Sequence, residues 1–181
     1  MRIVRGLVAM MLLAFALPIA AANPWVLIDT ESDTAQVRNG DNVIETLENL
    51  SFGRGGISDL HLFGDETTPR GEYRITRIDR SSRFHVFVEL DYPTLSHLDL
   101  AHRRGVVDDE RYQALLDRSI ERGRVPQNTR LGGYIGLHGL GKADTDIHER
   151  LHWTEGCVAM TDAQIERLLR HIRLGSRVVI R

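Results

Sequence analysis

Apolar side chains recur at every second residue through the first half of this chain and at helical spacing in two later stretches, and this change of period constrains the fold most. "RFHVFVELDY" (Arg83 to Tyr92) alternates Phe84, Val86, Val88 and Leu90 on one face, which places His85 on the opposite, solvated face of a strand. "TTPRGEYRITRID" sets a Pro-Arg-Gly turn before a strand carrying Tyr73, Ile75 and Arg77. "WVLIDT" (Trp25 to Thr30) reads as a short apolar strand, and Asn39-Gly40 lies between two extended segments as a hairpin signal. "GGYIGLHG" reads as a strand running into a loop, and "RVVIR" closes the chain as another strand.

The helical stretches carry their own punctuation. "DDERYQALLDRSIERG" places Tyr112, Leu115, Leu116 and Ile120 on one face, with Asp108 as N-cap and Gly123 as the stop. "TDAQIERLLRHI" has a Thr161–Gln164 capping box, followed by Ile165, Leu168, Leu169 and Ile172 on one face. A shorter helix precedes the first, and its His97 and His102 read as surface or packing residues. The class is mixed and mostly β.

The N-terminus reads "MRIVRGLVAMMLLAFALPIAAANPW". Arg2 and Arg5 form a basic region, Leu7 to Ile19 an apolar run, and Ala20 to Ala22 a small-residue cleavage site, the pattern of a secretory signal over residues 1–22. An uncleaved anchor is the alternative, and no cysteine is placed to make a lipoprotein. Residues 23–181 then form one domain, long enough to bury a core. Loss of Arg2 and Arg5 moves the formal charge from -2 to -4, with no basic stripe for nucleic acid. No later run has the length of a membrane span. The expected location is the periplasm or cell envelope.

Export makes the single cysteine, Cys157, conspicuous. It cannot pair within the chain, so it is either buried and inert or kept for its reactivity. It follows Gly156 in a glycine-punctuated loop, and His138 ends a strand 19 residues earlier. A thiol attacks carbonyls as thiolate, and a neighbouring histidine can take its proton. Gly139 and Gly156 let main chain approach a substrate, and N–H groups near the thiol could hold an oxyanion. A metal site is the rival reading. His148 and His152 lie four apart, on one helical face, and with His138 and Cys157 would complete four zinc ligands. Against it, only one ligand pair is close in sequence, and "DTDIHERLHW" reads as a short helix or lid with surface histidines.

"LHG" (Leu137 to Gly139) followed by "WTEGCVAMT" (Trp153 to Thr161) resembles the L,D-transpeptidase catalytic domain of the YkuD type, and "TPRGEYRI" (Thr68 to Ile75) is similar to that family's upstream strand. The resemblance covers residues 23–181 and implies a β-sandwich with a helical insertion and a C-terminal helix. It implies Cys157 as nucleophile and His138 as the base, with no cofactor and no metal. Gly139, Gly156 and the main chain around Cys157 would shape the loop and oxyanion site, and Thr154 would brace it. The implied substrates are peptidoglycan stem peptides, cut at the third residue with loss of D-alanine, and an amine or water then takes the acyl group. Transferase and hydrolase outcomes both stay open, as does a wall-attached protein as partner or a non-catalytic wall-binding relic. One departure stands out. The family's histidine before Gly-Cys is replaced by Glu155, which beside Trp153 would orient His138, repel a carboxylate, bind a substrate amine, or simply be solvated.

Overall fold

A computed structural model describes residues 23–181; the secretory signal expected over residues 1–22 lies outside the described residues. Strands β1 (Trp25–Asp29), β2 (Thr34–Asn39) and β3 (Asn42–Leu47) form an antiparallel meander. Asn39 pairs with Asn42, so the hairpin turn is Gly40-Asp41, one residue later than Asn39-Gly40; Gly40, at φ +58°, takes the turn's left-handed position. The short strands β4 (Ile57–Ser58) and β5 (Thr68–Pro69) pair in parallel and bracket a loop. Strands β6 (Gly71–Asp79) and β7 (Phe87–Leu90) follow, then the helices α1 (Leu95–Arg103) and α2 (Asp109–Arg122). The chain ends with β8 (Gly136–His138), α3 (Thr145–Arg150), β9 (Val158–Ala159), α4 (Asp162–Leu168) and β10 (Arg177–Ile180).

Eight strands join in one mixed sheet of order β3-β2-β1-β10-β6-β7-β8-β9. Its two ends share a core. Val26, Val37 and Leu47 from one end cluster with Val88, Leu137 and Val158 from the other, and with Ile165 and Leu168 of α4. Such packing needs the sheet to turn over on itself into two layers, as a β-sandwich does. Main chain at Ser51, just past β3, bonds Ala159 of β9 in both directions at 3.0 and 2.8 Å, which ties the sheet's far edge to the chain leaving its other edge. A second, smaller core forms between α1 and α2 and the loops below them, from Leu60, Leu98, Ala101, Val107, Leu115, Val125 and Leu131.

Two sequence expectations fail here for identifiable reasons. The strand read from Phe84 starts only at Phe87, because His85 has φ +70° and lies in a turn, hydrogen-bonded by its ring to Glu166 at 3.0 Å. β7 is then buried on both faces, since Arg77 and Gln127 reach across to Glu89 and cover the face that alternation assigns to water. On α2 the buried face centres on Leu115 and Ser119, and Ile120 is 75% exposed. Both caps of α2 and the Thr161–Gln164 box of α4 form as expected. No helix among the described residues is long and apolar enough to cross a membrane.

Candidate active site

The register of β8 and β9 brings Cys157 and His138 together. The strands run parallel with Leu137 opposite Val158 and His138 opposite Ala159. One step back along this register sets Gly136 beside Cys157. Successive side chains alternate faces, so Cys157 and His138 project from the same face as diagonal neighbours, a separation of roughly 7–8 Å between their backbones. Gly136 is required below the thiol, because a Cβ there would lie 2.5 Å from Val88 O. Both side chains open into one cavity of ≈ 780 Å³. The thiol of Cys157, half-buried, faces the carbonyl of Tyr134 at 3.6 Å.

His138 is only 2% exposed. Its ring stacks on Phe84 at 4.2 Å between centroids, and Trp153 meets it edge-on at 5.8 Å. Nδ1 lies 2.7 Å from Gly139 O, so Nδ1 carries the proton and donates it, leaving Nε2 as the unprotonated nitrogen. Burial brings the imidazole down to about 4, helped by the nearby His148 and Arg83 and opposed by the Gly139 bond. The thiol moves the other way. Burial pushes Cys157 up to about 11, and the Glu155 carboxylate adds to the rise. At neutral pH the pair is therefore thiol and neutral imidazole.

The loop before Cys157 is braced from within. Thr154 Oγ1 donates to Cys157 O at 2.6 Å and accepts from Gly156 N at 3.2 Å. Gly156 takes φ +122°, and a Cβ there would lie 2.7 Å from Thr67 O. At Gly139 a Cβ would meet an Asp162 oxygen at 2.4 Å. Glu155 projects into solvent and approaches Arg54 at 3.9 Å, so its nearest cation belongs to the protein itself. Trp153 donates its indole N–H to Nδ1 of His148 at 3.3 Å. His148 is buried, not on the surface, and its Nε2 has no partner among the described residues. His152 faces Phe52 N and Asp33 instead, so the four residues of the zinc alternative do not converge.

Several cavity residues carry no sequence signal of their own. Arg54, His61, Phe63 and Glu66 come from the loop region between β3 and β6, Arg83 and Phe84 from the β6–β7 connection, and Phe87 from the start of β7. The only trace in sequence is "HLFGDETTP", where His61 stands four residues before Asp65.

The description of the L,D-transpeptidase catalytic domain, YkuD, matches residues 23–180. This chain belongs to that family. The mostly-β, mixed-sheet fold with four helices described above is an L,D-transpeptidase-like fold. Among solved structures, the helical cell shape determining protein Pgp2 from Campylobacter jejuni is similar at 18% identity and a TM-score of 0.57, over 87% of this chain and 46% of that one. Bd1075 from Bdellovibrio bacteriovorus is similar at 18% identity and a TM-score of 0.55, over 88% of this chain and 48% of that one. At that identity the likeness is one of fold, and the chain spans about half the length of each of these proteins. No curated protein matches this L,D-transpeptidase domain.

Proposed function

We propose that this domain is an exported, peptidoglycan-modifying cysteine enzyme that forms a thioester with stem peptides. The observation that carries the proposal is the placement of Cys157 and His138 on one face of adjacent strands, with Nε2 of His138 left free by the Nδ1–Gly139 bond. Nε2 takes the Cys157 proton as sulfur attacks the carbonyl of the third stem residue, and then delivers it to the departing amine of D-alanine. Because both groups rest uncharged, proton transfer and C–S bond formation proceed together rather than through a standing ion pair. The main-chain N–H of Cys157 holds the oxyanion, on a loop kept in shape by Thr154, which takes the Gly156 N–H. Arg83, stacked over Phe84 and without an ion-pair partner among the described residues, supplies a cation for a stem-peptide carboxylate.

The acyl group then passes to an amine, as in a transpeptidase, or to water. The open, half-exposed surroundings of Cys157 favour neither outcome. Hydrolytic release of a group attached to the stem peptide, including a wall-attached protein, is the second reading, and the family fold found in a cell shape determining protein agrees with a role in wall remodelling. Incubating the protein with isolated peptidoglycan and identifying the products tests the proposal. New or lost bonds at the third stem residue are expected, with D-alanine released. A digest identical to that of a Cys157→Ala control would overturn it.

A further inference from the structure

We infer that His61 is a second catalytic residue of this site, acting on the nucleophile that enters to resolve the thioester; this rests on the function proposed above.

The ring of His61 is fixed as firmly as that of His138. Its Nδ1 lies 2.8 Å from Thr67 O and 3.0 Å from Asp65 Oδ1. Both are acceptors, so Nδ1 carries a proton, and in the neutral ring Nε2 is the acceptor. Asp65 is itself pinned. It accepts from Leu62 N at 2.7 Å, from Thr67 N at 2.9 Å and from the Thr67 hydroxyl at 2.9 Å. Tyr92 donates to His61 O at 2.5 Å and packs edge-on to the ring at 5.7 Å. The histidine is 5% exposed, and Nε2 has no protein partner among the described residues.

That free edge lies against the nucleophile loop. A Cβ on Gly132 would fall 2.7 Å from Nε2, and one on Gly156, the residue before Cys157, would fall 3.3 Å from Cε1. Gly132 has φ +69° and Gly156 φ +122°, so both positions need glycine for their backbone as well as for this approach. His61 and Cys157 line the same cavity. The site thus holds two histidines, each with Nδ1 donated to a main-chain carbonyl.

They differ in what surrounds them. His138 is enclosed by Phe84, Phe87 and Trp153, and the loss of water there disfavours a positive ring. His61 has a carboxylate on its Nδ1, the arrangement that orients a base and stabilises the imidazolium it becomes. In the step assigned to it, the proton of water or of an amine moves to Nε2 as the oxygen or nitrogen bonds to the thioester carbonyl carbon. The tetrahedral intermediate collapses, the C–S bond breaks, and the Cys157 sulfur recovers that proton. The products are the free acid or the new amide, a thiol and a neutral imidazole.

The test uses the full chain with a stem tetrapeptide, following D-alanine release and the mass of the intact protein over time. Wild type should release D-alanine continuously with little adduct. His61→Gln, which can still donate to Thr67 O, and His61→Ala should release about one equivalent and then slow by about 10²-fold or more while the adduct accumulates on Cys157. Added imidazole should restore turnover in His61→Ala. Asp65→Asn should move the pH profile of adduct breakdown and leave that of adduct formation in place. Equal breakdown rates in wild type and both His61 variants would overturn the inference. So would slowing of both half-reactions together with a lowered melting temperature and no imidazole rescue. If wild type itself formed no adduct and released no D-alanine, the proposed function would fall, and this inference with it.

Discussion

At Cys157 the surroundings hold the proton on sulfur up to about pH 11, and at His138 they keep it off Nε2 down to about pH 4. A standing thiolate–imidazolium pair would react with iodoacetamide at a rate nearly independent of pH. Here the alkylation rate of Cys157 should instead climb about tenfold per pH unit above neutrality, since only the thiolate is nucleophilic. Glu155 contributes to that high value, so Glu155→Gln should speed alkylation at any fixed pH between 8 and 10. An unchanged rate would mean that Arg54 already neutralises the carboxylate. Trp153 matters through His148. Nδ1 of His148 accepts the indole N–H that keeps Trp153 edge-on to His138. His148→Gln retains an acceptor, whereas His148→Leu loses one hydrogen bond of about 1 kcal/mol, so kcat/KM should fall up to about tenfold in the second and less in the first. That Cys157 and His138 would meet in one cavity was legible in the sequence, because a glycine-flanked motif marks each. His61 was not, because nothing in "HLFGD" says that its loop folds back over Gly156.

The helices were read well where caps and periodicity agree, and misread where tertiary cover decides. Asp108 and Gly123 bound α2 by local chemistry alone, and Thr161 with Gln164 does the same for α4. Which residues of α2 face inward depends on how α1 packs, and that turned the buried face toward Leu115 and away from Ile120. Leu115→Ala should therefore destabilise by about 2–5 kcal/mol, while Ile120→Ala should stay within about 0.5 kcal/mol. Chemical denaturation of the two variants checks this, and equal losses would show that the insertion packs differently. His85 is the matching case among the strands. A positive φ is invisible to an alternation pattern, and the turn it makes carries Arg83 and Phe84 to the cavity.

Across the whole molecule, the two-layer sheet buries the His138 ring at the edge of the larger core while Cys157 stays half-buried on the cavity, and acid stability should record the buried ring. His138 has a folded value near 4 against an unfolded value near 6.5. Its neutral burial is fully accommodated above pH 6.5, and the unfolded chain binds the extra proton as pH falls toward 4. Stability should decline through that window by up to about 3 kcal/mol from this group, and His138→Gln should flatten the decline. Thermal melts from pH 7 to pH 4 measure it, and identical slopes in both proteins would refute the assignment. At this scale the sequence showed the class and the signature loop. It did not show that Ser51 would bond Ala159 and join strand edges over a hundred residues apart. The most direct measurement of the proposed chemistry is peptide-level mass spectrometry after mixing the protein with a stem tetrapeptide. The expected result is continuous release of D-alanine, a small steady fraction of acyl tripeptide found on the fragment holding Cys157 and on no other, and neither in Cys157→Ala. An adduct on another residue, or D-alanine release by Cys157→Ala, would contradict the covalent role of Cys157.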